Sequence, residues 1–194
     1  MSGSKKLTDS NALAICLFCG SASGTLPVFA DVAGRLGAAL AASGVTLIYG
    51  GASIGLMGIA ADAALAAGGR VIGVLPESLR SRDVAHLKLT ELRITPDLAS
   101  RKLEMLAASD AFITLPGGIG TLDELFEIWT LMQLGARRRP LILINHDGYY
   151  DNLLAFLRGS VRDGFLQRET FELLVAFETP EDAVAAALRS LLSR

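Results

Sequence analysis

Short runs made almost wholly of apolar residues constrain this 194-residue chain most: Val45–Tyr49 (VTLIY), Val71–Leu75 (VIGVL), Ala111–Leu115 (AFITL) and Leu141–Asn145 (LILIN). A strand with one face in water alternates apolar with polar residues. A strand that stays apolar is covered on both faces, as in a parallel sheet between two layers of helices. Longer Ala/Leu-rich stretches separate these runs, and strand–helix alternation at that spacing implies right-handed crossovers. The predicted fold is therefore a single doubly wound, Rossmann-like α/β domain over residues 13–194, preceded by a flexible tail at 1–12. Hydrophobic residues make up 51% of the chain and aromatic ones only 6%, so the expected core is aliphatic.

Three further runs complete the strand set: Leu13–Cys19, Leu89–Thr95 and Leu173–Phe177. Pro27 suits the first turn of a helix that runs to Ser43 and stops at Gly44. Helices are also expected through Ala61–Ala67, from Pro96-Asp97 onward, over Leu122–Leu134, near 150–163 and after the capping sequence Thr179-Pro180-Glu181-Asp182. Residues 77–90 read as an irregular polar segment.

Net charge is −2, which gives no basic excess for binding nucleic acid. No apolar run approaches a membrane span, and Met1–Ser10 lacks the apolar core of a signal peptide. The expected location is the cytoplasm, with no nucleic-acid or membrane partner. Cys16 and Cys19 form a C-x-x-C, but inside a strand such a pair points to opposite faces, so both read as buried structural thiols rather than a redox pair. His86 and His146 stand far apart, and no metal site is expected.

Ligands of doubly wound folds bind beyond the carboxyl ends of the strands, which singles out three glycine-bearing exits. Pro116-Gly117-Gly118-Ile119-Gly120-Thr121-Leu122-Asp123-Glu124 carries the strongest signal. Glycines at a strand-to-helix junction let backbone N–H groups close on a phosphate, and the helix dipole favours the anion. The plainer reading is a tight turn that needs positive φ. Glu124, in the helix that follows, would repel a phosphate unless the ligand also develops positive charge nearby. A ribose 5-phosphate losing its base through an oxocarbenium-like state is such a ligand. Glu124 and Glu127 are expected to share a helix face, with Asp123 about 100° away from Glu124. Arg101 and Lys102 are adjacent on a helix and diverge, so they are not expected to face one ligand together. The second exit, Gly50-Gly51 through Gly58, either cradles a phosphate or base, with Met57 as a soft contact, or serves helix–sheet packing. Gly20-Ser21 is a small turn with a hydroxyl to offer.

Gly50-Gly51, Gly55-Leu56-Met57-Gly58, Arg101-Lys102 and the Pro116–Glu124 element together resemble the Lonely Guy-type cytokinin riboside 5′-monophosphate phosphoribohydrolases, formerly labelled lysine decarboxylases. The resemblance runs from about Ile15 to Phe165 and takes in Ser109–Phe112 and Asp147–Tyr150. It implies a cofactor-free, dimeric Rossmann-like enzyme with Arg101 and Glu124 as the catalytic pair. It also implies substrate contacts at Lys102 and Gly118–Thr121, with Ile119 and Gly120 inside that stretch, and near Asp83. With Gly20, Ser21, Gly51, Met57 and Gly117 from the exits, these make up the expected site. Leu98, Ala99 and Ser100 depart from the family's usual Met and His before the Arg, and Asp83 stands for a usual Glu. No lysine placed for pyridoxal phosphate is evident. The expected reaction is hydrolysis of an (N6-modified) adenosine 5′-monophosphate to free base and ribose 5-phosphate. Its rivals are a nucleotide-binding sensor or carrier without catalysis and a transferase differing only in the acceptor. The apolar girth of the helix bearing Phe126, Trp129, Leu131, Met132 and Leu134 suggests burial on two sides, one of them a second copy of the chain or the protein's own 77–90 segment.

Overall fold

The computed structural model describes residues 12–80 and 84–193. Seven strands, β1 (Ala14–Phe18), β2 (Thr46–Tyr49), β3 (Val71–Pro76), β4 (Glu91–Thr95), β5 (Ala111–Thr114), β6 (Leu141–Ile144) and β7 (Leu174–Phe177), form one parallel sheet in the order β4-β3-β2-β1-β5-β6-β7. The helices are α1 (Pro27–Ala42), α2 (Gly55–Ala66), α3 (Glu77–Arg80), α4 (Leu98–Ala107), α5 (Ile119–Gln133), α6 (Asp151–Arg162), α7 (Arg168–Phe171) and α8 (Pro180–Leu192). The expected single doubly wound domain is what forms. Among the described residues no helix is long and apolar enough to cross a membrane.

The continuous apolar strands serve both faces, as period-2 geometry requires. Ile15, Leu17, Leu47 and Tyr49 pack under α1, α2 and α8 against Val32, Leu36, Ala60 and Val184. Cys16, Phe18, Ile48 and Phe112 face the other way, toward Met105, Leu125, Ile128, Trp129 and Leu154 of α4, α5 and α6. Cys16 and Cys19 therefore lie in opposite layers, both as buried free thiols. Burial pushes both thiols well above their ordinary range, the reverse of a reactive pair.

Two helix starts differ from expectation. α2 begins at Gly55 rather than near Ala61, and α5 at Ile119 rather than Leu122. Glycine is a poor helix former, so local propensity places both starts too late. At α2 close packing overrides it: a Cβ on Gly55 would sit 2.3 Å from the Ser21 carbonyl carbon, across to the β1 exit, and one on Gly58 would sit 2.1 Å from the Ser53 carbonyl oxygen, so only glycine allows this first turn to close. Within the segment expected to be irregular, residues 77–80 form the short α3, and Ala85 pairs with Ala52 in an antiparallel bridge.

This chain covers the apolar girth of α5 around Leu125, Ile128, Trp129 and Met132, while Leu134 at its end is 77% exposed. Trp129 is 4% exposed, and its Nε1–H donates to the Thr170 carbonyl at 2.8 Å. Leu166, Phe171 and Leu173 pack into the same cluster. The cover on Trp129 is the α7 region, so Trp129 offers no surface to a second subunit.

Candidate active site

The strand order reverses between β1 and β5, and their exits part there to open a cleft of about 420 Å³, within the usual range of small-ligand sites. Backbone bonds stitch its rim together. Gly20 N–H donates to the Pro116 carbonyl at 3.1 Å, and Leu56 N–H donates to the Gly20 carbonyl at 3.1 Å. A sheet-end crevice that would otherwise be three separate loops becomes one frame.

The start of α5 forms one wall. Gly118 is its N-cap and, among the described residues, no side chain caps it. The first amides of a helix have no intrahelical partner, and here Gly118, Ile119, Gly120 and Thr121 line the cleft. None of Gly117, Gly118 and Gly120 has positive φ, so the tight-turn reading does not explain them. A Cβ on Gly117 would fall 2.1 Å from the Thr121 hydroxyl oxygen, whereas Cβ atoms on Gly118 and Gly120 would meet nothing within 4 Å. The chain itself does not need glycine at those two positions. What their absent side chains provide is open space over uncapped amides, the geometry of an anion cradle.

Arg101 of α4 and Glu124, one turn further along α5, also line the cleft. Arg101 Nη2 lies 3.0 Å from Glu124 Oε1, with the two side chains 13% and 12% exposed. Arg101 Nε–H donates to the Val74 carbonyl at 3.0 Å, fixing the guanidinium on β3. Burial raises the Glu124 carboxyl above the usual carboxylate range, against the downward pull of Arg101 and with a smaller upward push from Asp123. The site thus holds a desolvated carboxylate one helical turn from the uncapped amides at the start of α5.

Arg101 and Lys102 both line the cleft, contrary to the expectation that adjacent residues diverge from one ligand. The ion pairs explain how. Lys102 Nζ reaches Asp123 Oδ2 at 2.9 Å and also Glu127, while Arg101 takes Glu124. Glu124 and Glu127 share a face as expected, both lining a small pocket with Lys102, and Asp123 joins Glu127, at i and i+4, in holding the lysine. α4 and α5 lie side by side, so neighbouring cations each find a separate acid. Glu127 and Asp123 raise the Lys102 pKa.

Gly20, Ser21, Met57, Gly118, Ile119, Gly120 and Thr121 line the cleft as expected. Two expected residues do not. Gly51, at φ +77°, is wedged against Leu75 and Leu92 and serves the packing of β3 on β4. Gly117 lies across the loop, in an adjoining 280 Å³ pocket with Phe29 and Tyr149. Asp83 lies outside the described residues. Cys19, Leu98 and Asp123 line the cleft without having been singled out as site residues. Only the Asp123–Glu127 spacing around a basic partner could have flagged one of them.

Two tyrosines hold the glycine loop from behind. Tyr150 O–H donates to the Leu115 carbonyl and Tyr149 O–H to the Gly117 carbonyl, at 2.8 and 2.9 Å. Tyr150 is buried, so Tyr150→Phe strands a buried acceptor and is expected to cost about 1–3 kcal/mol of stability by chemical denaturation. Tyr149 is 44% exposed, and Tyr149→Phe should cost less. Equal losses would show that burial does not set the difference.

The family model described as possible lysine decarboxylases matches residues 57–187. Among curated proteins, the probable cytokinin riboside 5′-monophosphate phosphoribohydrolase LOGL1 of Oryza sativa subsp. japonica is 43% identical over 168 residues, 87% of this chain and 75% of its own length. The cytokinin riboside 5′-monophosphate phosphoribohydrolase LOG3 of Arabidopsis thaliana is 43% identical over 170 residues, 88% of this chain and 79% of its own. Among solved structures, the molybdenum cofactor binding protein of Rippkaea orientalis superposes with a TM-score of 0.72 at 22% identity, covering 94% of this chain and 99% of that one. The Moco carrier protein of Chlamydomonas reinhardtii gives 0.69 at 21%, covering 94% and 98%. At such identity these two speak for the fold alone. An imine-forming lysine must be uncharged to attack, and Lys102, the one lysine lining the cleft among the described residues, is held protonated by two carboxylates. Despite that mismatch with the family's descriptive label, the match over residues 57–187 and the 43% identity across most of both chains show that the chain belongs to the possible lysine decarboxylase family, which it shares with relatives named as cytokinin riboside 5′-monophosphate phosphoribohydrolases.

Proposed function

We propose that the chain hydrolyses the N-glycosidic bond of a nucleoside 5′-monophosphate, with an N6-modified adenosine 5′-monophosphate as the expected substrate. One observation carries this reading. A buried carboxylate, Glu124, is held by Arg101 within a turn of the open amides at Gly118–Thr121. A site for anions alone gains nothing from a carboxylate there. A ligand with phosphate at one end and developing positive charge a few ångströms away suits both groups. The names of the curated relatives support the same reaction.

In this reading the α5 amides, Thr121 and Lys102 hold the 5′-phosphate, with Gly20 and Ser21 at the facing rim. Glu124 stabilises the oxocarbenium ion as the bond between C1′ and the base nitrogen breaks. Water supplies the hydroxyl that C1′ gains, and its remaining proton balances the base nitrogen that leaves. Arg101 orients Glu124. Met57 and Leu98 give the base an apolar surface. The test is a panel of nucleoside monophosphates, including N6-isopentenyl-AMP and AMP, followed by chromatography for free base. Tight binding with the nucleotide recovered intact would replace this reading with a sensor or carrier. Transfer of the ribosyl group to an added competing base would replace it with a transferase.

A homodimer is part of the proposal, although Trp129 is not at its seam. Leu98, Leu103 and Ile119 are 54%, 59% and 89% exposed on α4 and the start of α5. They offer an apolar lip beside the cleft for a two-fold partner. Light scattering at micromolar concentration should give twice the chain mass. Leu103→Glu should halve that mass, and a monomeric wild type would remove the dimer.

A further inference from the structure

Gly50, which follows β2 and is buried, has no positive φ. Its backbone therefore places no demand for glycine, unlike Gly51 beside it. What excludes a side chain is Arg101. A Cβ on Gly50 would lie 2.3 Å from Arg101 Nη2, 3.4 Å from Cζ and 3.1 Å from the Met57 sulfur. Nη2 is the nitrogen that holds Glu124, and the guanidinium is pinned at its other end by Nε–H donation to the Val74 carbonyl. With one end anchored on β3, the group cannot retreat from an added methyl without turning Nη2 off Glu124 or releasing Val74.

We propose that Gly50 is a positioning residue: its missing side chain forms the slot that seats the Arg101 guanidinium against Glu124. This inference rests on the reading of Glu124 as the carboxylate that acts on the substrate. Gly50 touches no reacting atom. It sets where Arg101 lies, and through Arg101 the direction and charge state of Glu124. The charged groups acting on Glu124 are Arg101, Lys102 and Asp123, and the thiols of Cys16 and Cys19 lie close enough to feel its charge. Of these, Arg101 is the one an added Cβ would displace.

Gly50→Ala is expected to lower kcat for base release roughly tenfold to a hundredfold, the scale of an ångström-sized misplacement of a catalytic group, with KM changed far less. The acid limb of its pH profile should move to higher pH, because withdrawing Arg101 removes a charge that favours the ionised carboxylate. Arg101→Lys should cost markedly less in the Gly50→Ala background than in the wild type, because the group that Gly50 seats has already been displaced. A kcat within twofold of wild type with an unmoved acid limb would overturn the proposal, as would additive losses in the double variant. If Gly50→Ala does not fold, Gly50→Ala with Arg101→Ala must, since the new Cβ then meets chiefly the flexible end of Met57; an unfolded double variant overturns the proposal too. A wild type that releases no base from any nucleotide sinks the reading of Glu124 instead. The Gly50–Arg101 coupling is then scored by thermal midpoints across the same cycle, where additivity counts against it.

Discussion

Glu124→Gln is expected to reduce base release by about 10²–10³-fold while nucleotide binding holds or tightens. That loss matches the effect of removing one preorganised group aimed at developing charge. Glutamine keeps the shape and the contact with Arg101 but carries no negative charge, so the transition state loses its counter-ion while the phosphate loses a repulsive neighbour. Single-turnover chromatography measures the first effect and calorimetry with AMP the second. Activity within a few-fold of wild type would take Glu124 out of the mechanism. The same residue sets a pH limb. Its folded pKa is raised chiefly by burial, so as pH falls Glu124 takes up its proton before an exposed glutamate does, at about 4.3. The active, ionised form is therefore lost at a higher pH than an ordinary carboxylate would give. The Glu124→Gln residual rate should lack that limb.

Removal of the 5′-phosphate should be equally costly, and in kcat as well as KM. Binding energy from a remote group can be used to hold the reacting centre in place, and the open amides at Gly118–Thr121 are where that energy arises. Adenosine should therefore turn over far more slowly than AMP even at saturation. Gly120→Val supplies the matching change on the protein. Its side chain enters open space and valine is a better helix former than glycine, so the fold should survive, while AMP loses its seat. Equal kcat on adenosine and AMP, or a Gly120→Val variant that binds AMP normally, would give the glycine loop another role.

Much of this was legible in the chain itself. The apolar continuity of VTLIY, VIGVL, AFITL and LILIN specified a parallel sheet covered on both faces, because a strand that never alternates has no face for water. The glycine-rich exit at Pro116–Thr121, with Glu124 four residues beyond Gly120, placed open helix-start amides and a carboxylate together at one strand end, since local spacing along one helix determines which residues lie within a turn, and both line the cleft. Even the opposite burial of Cys16 and Cys19 followed from period-2 geometry.

Pairing between elements was not legible, because it depends on how two helices lie against each other. That Lys102 bridges Asp123 and Glu127 while Arg101 takes Glu124 follows from the side-by-side placement of α4 and α5. The sequence alone placed Glu124 and Glu127 on one face, which holds, but it read Arg101-Lys102 as a divergent pair, whereas both line the cleft. The cover over Trp129 came from a segment some forty residues further on. The roles of the glycines were decided the same way: Gly51 for sheet packing, Gly118 and Gly120 for open space, Gly50 for the guanidinium of a residue fifty-one positions away. A sequence shows which positions lack a side chain; only the folded chain brings up the neighbour that would have met it.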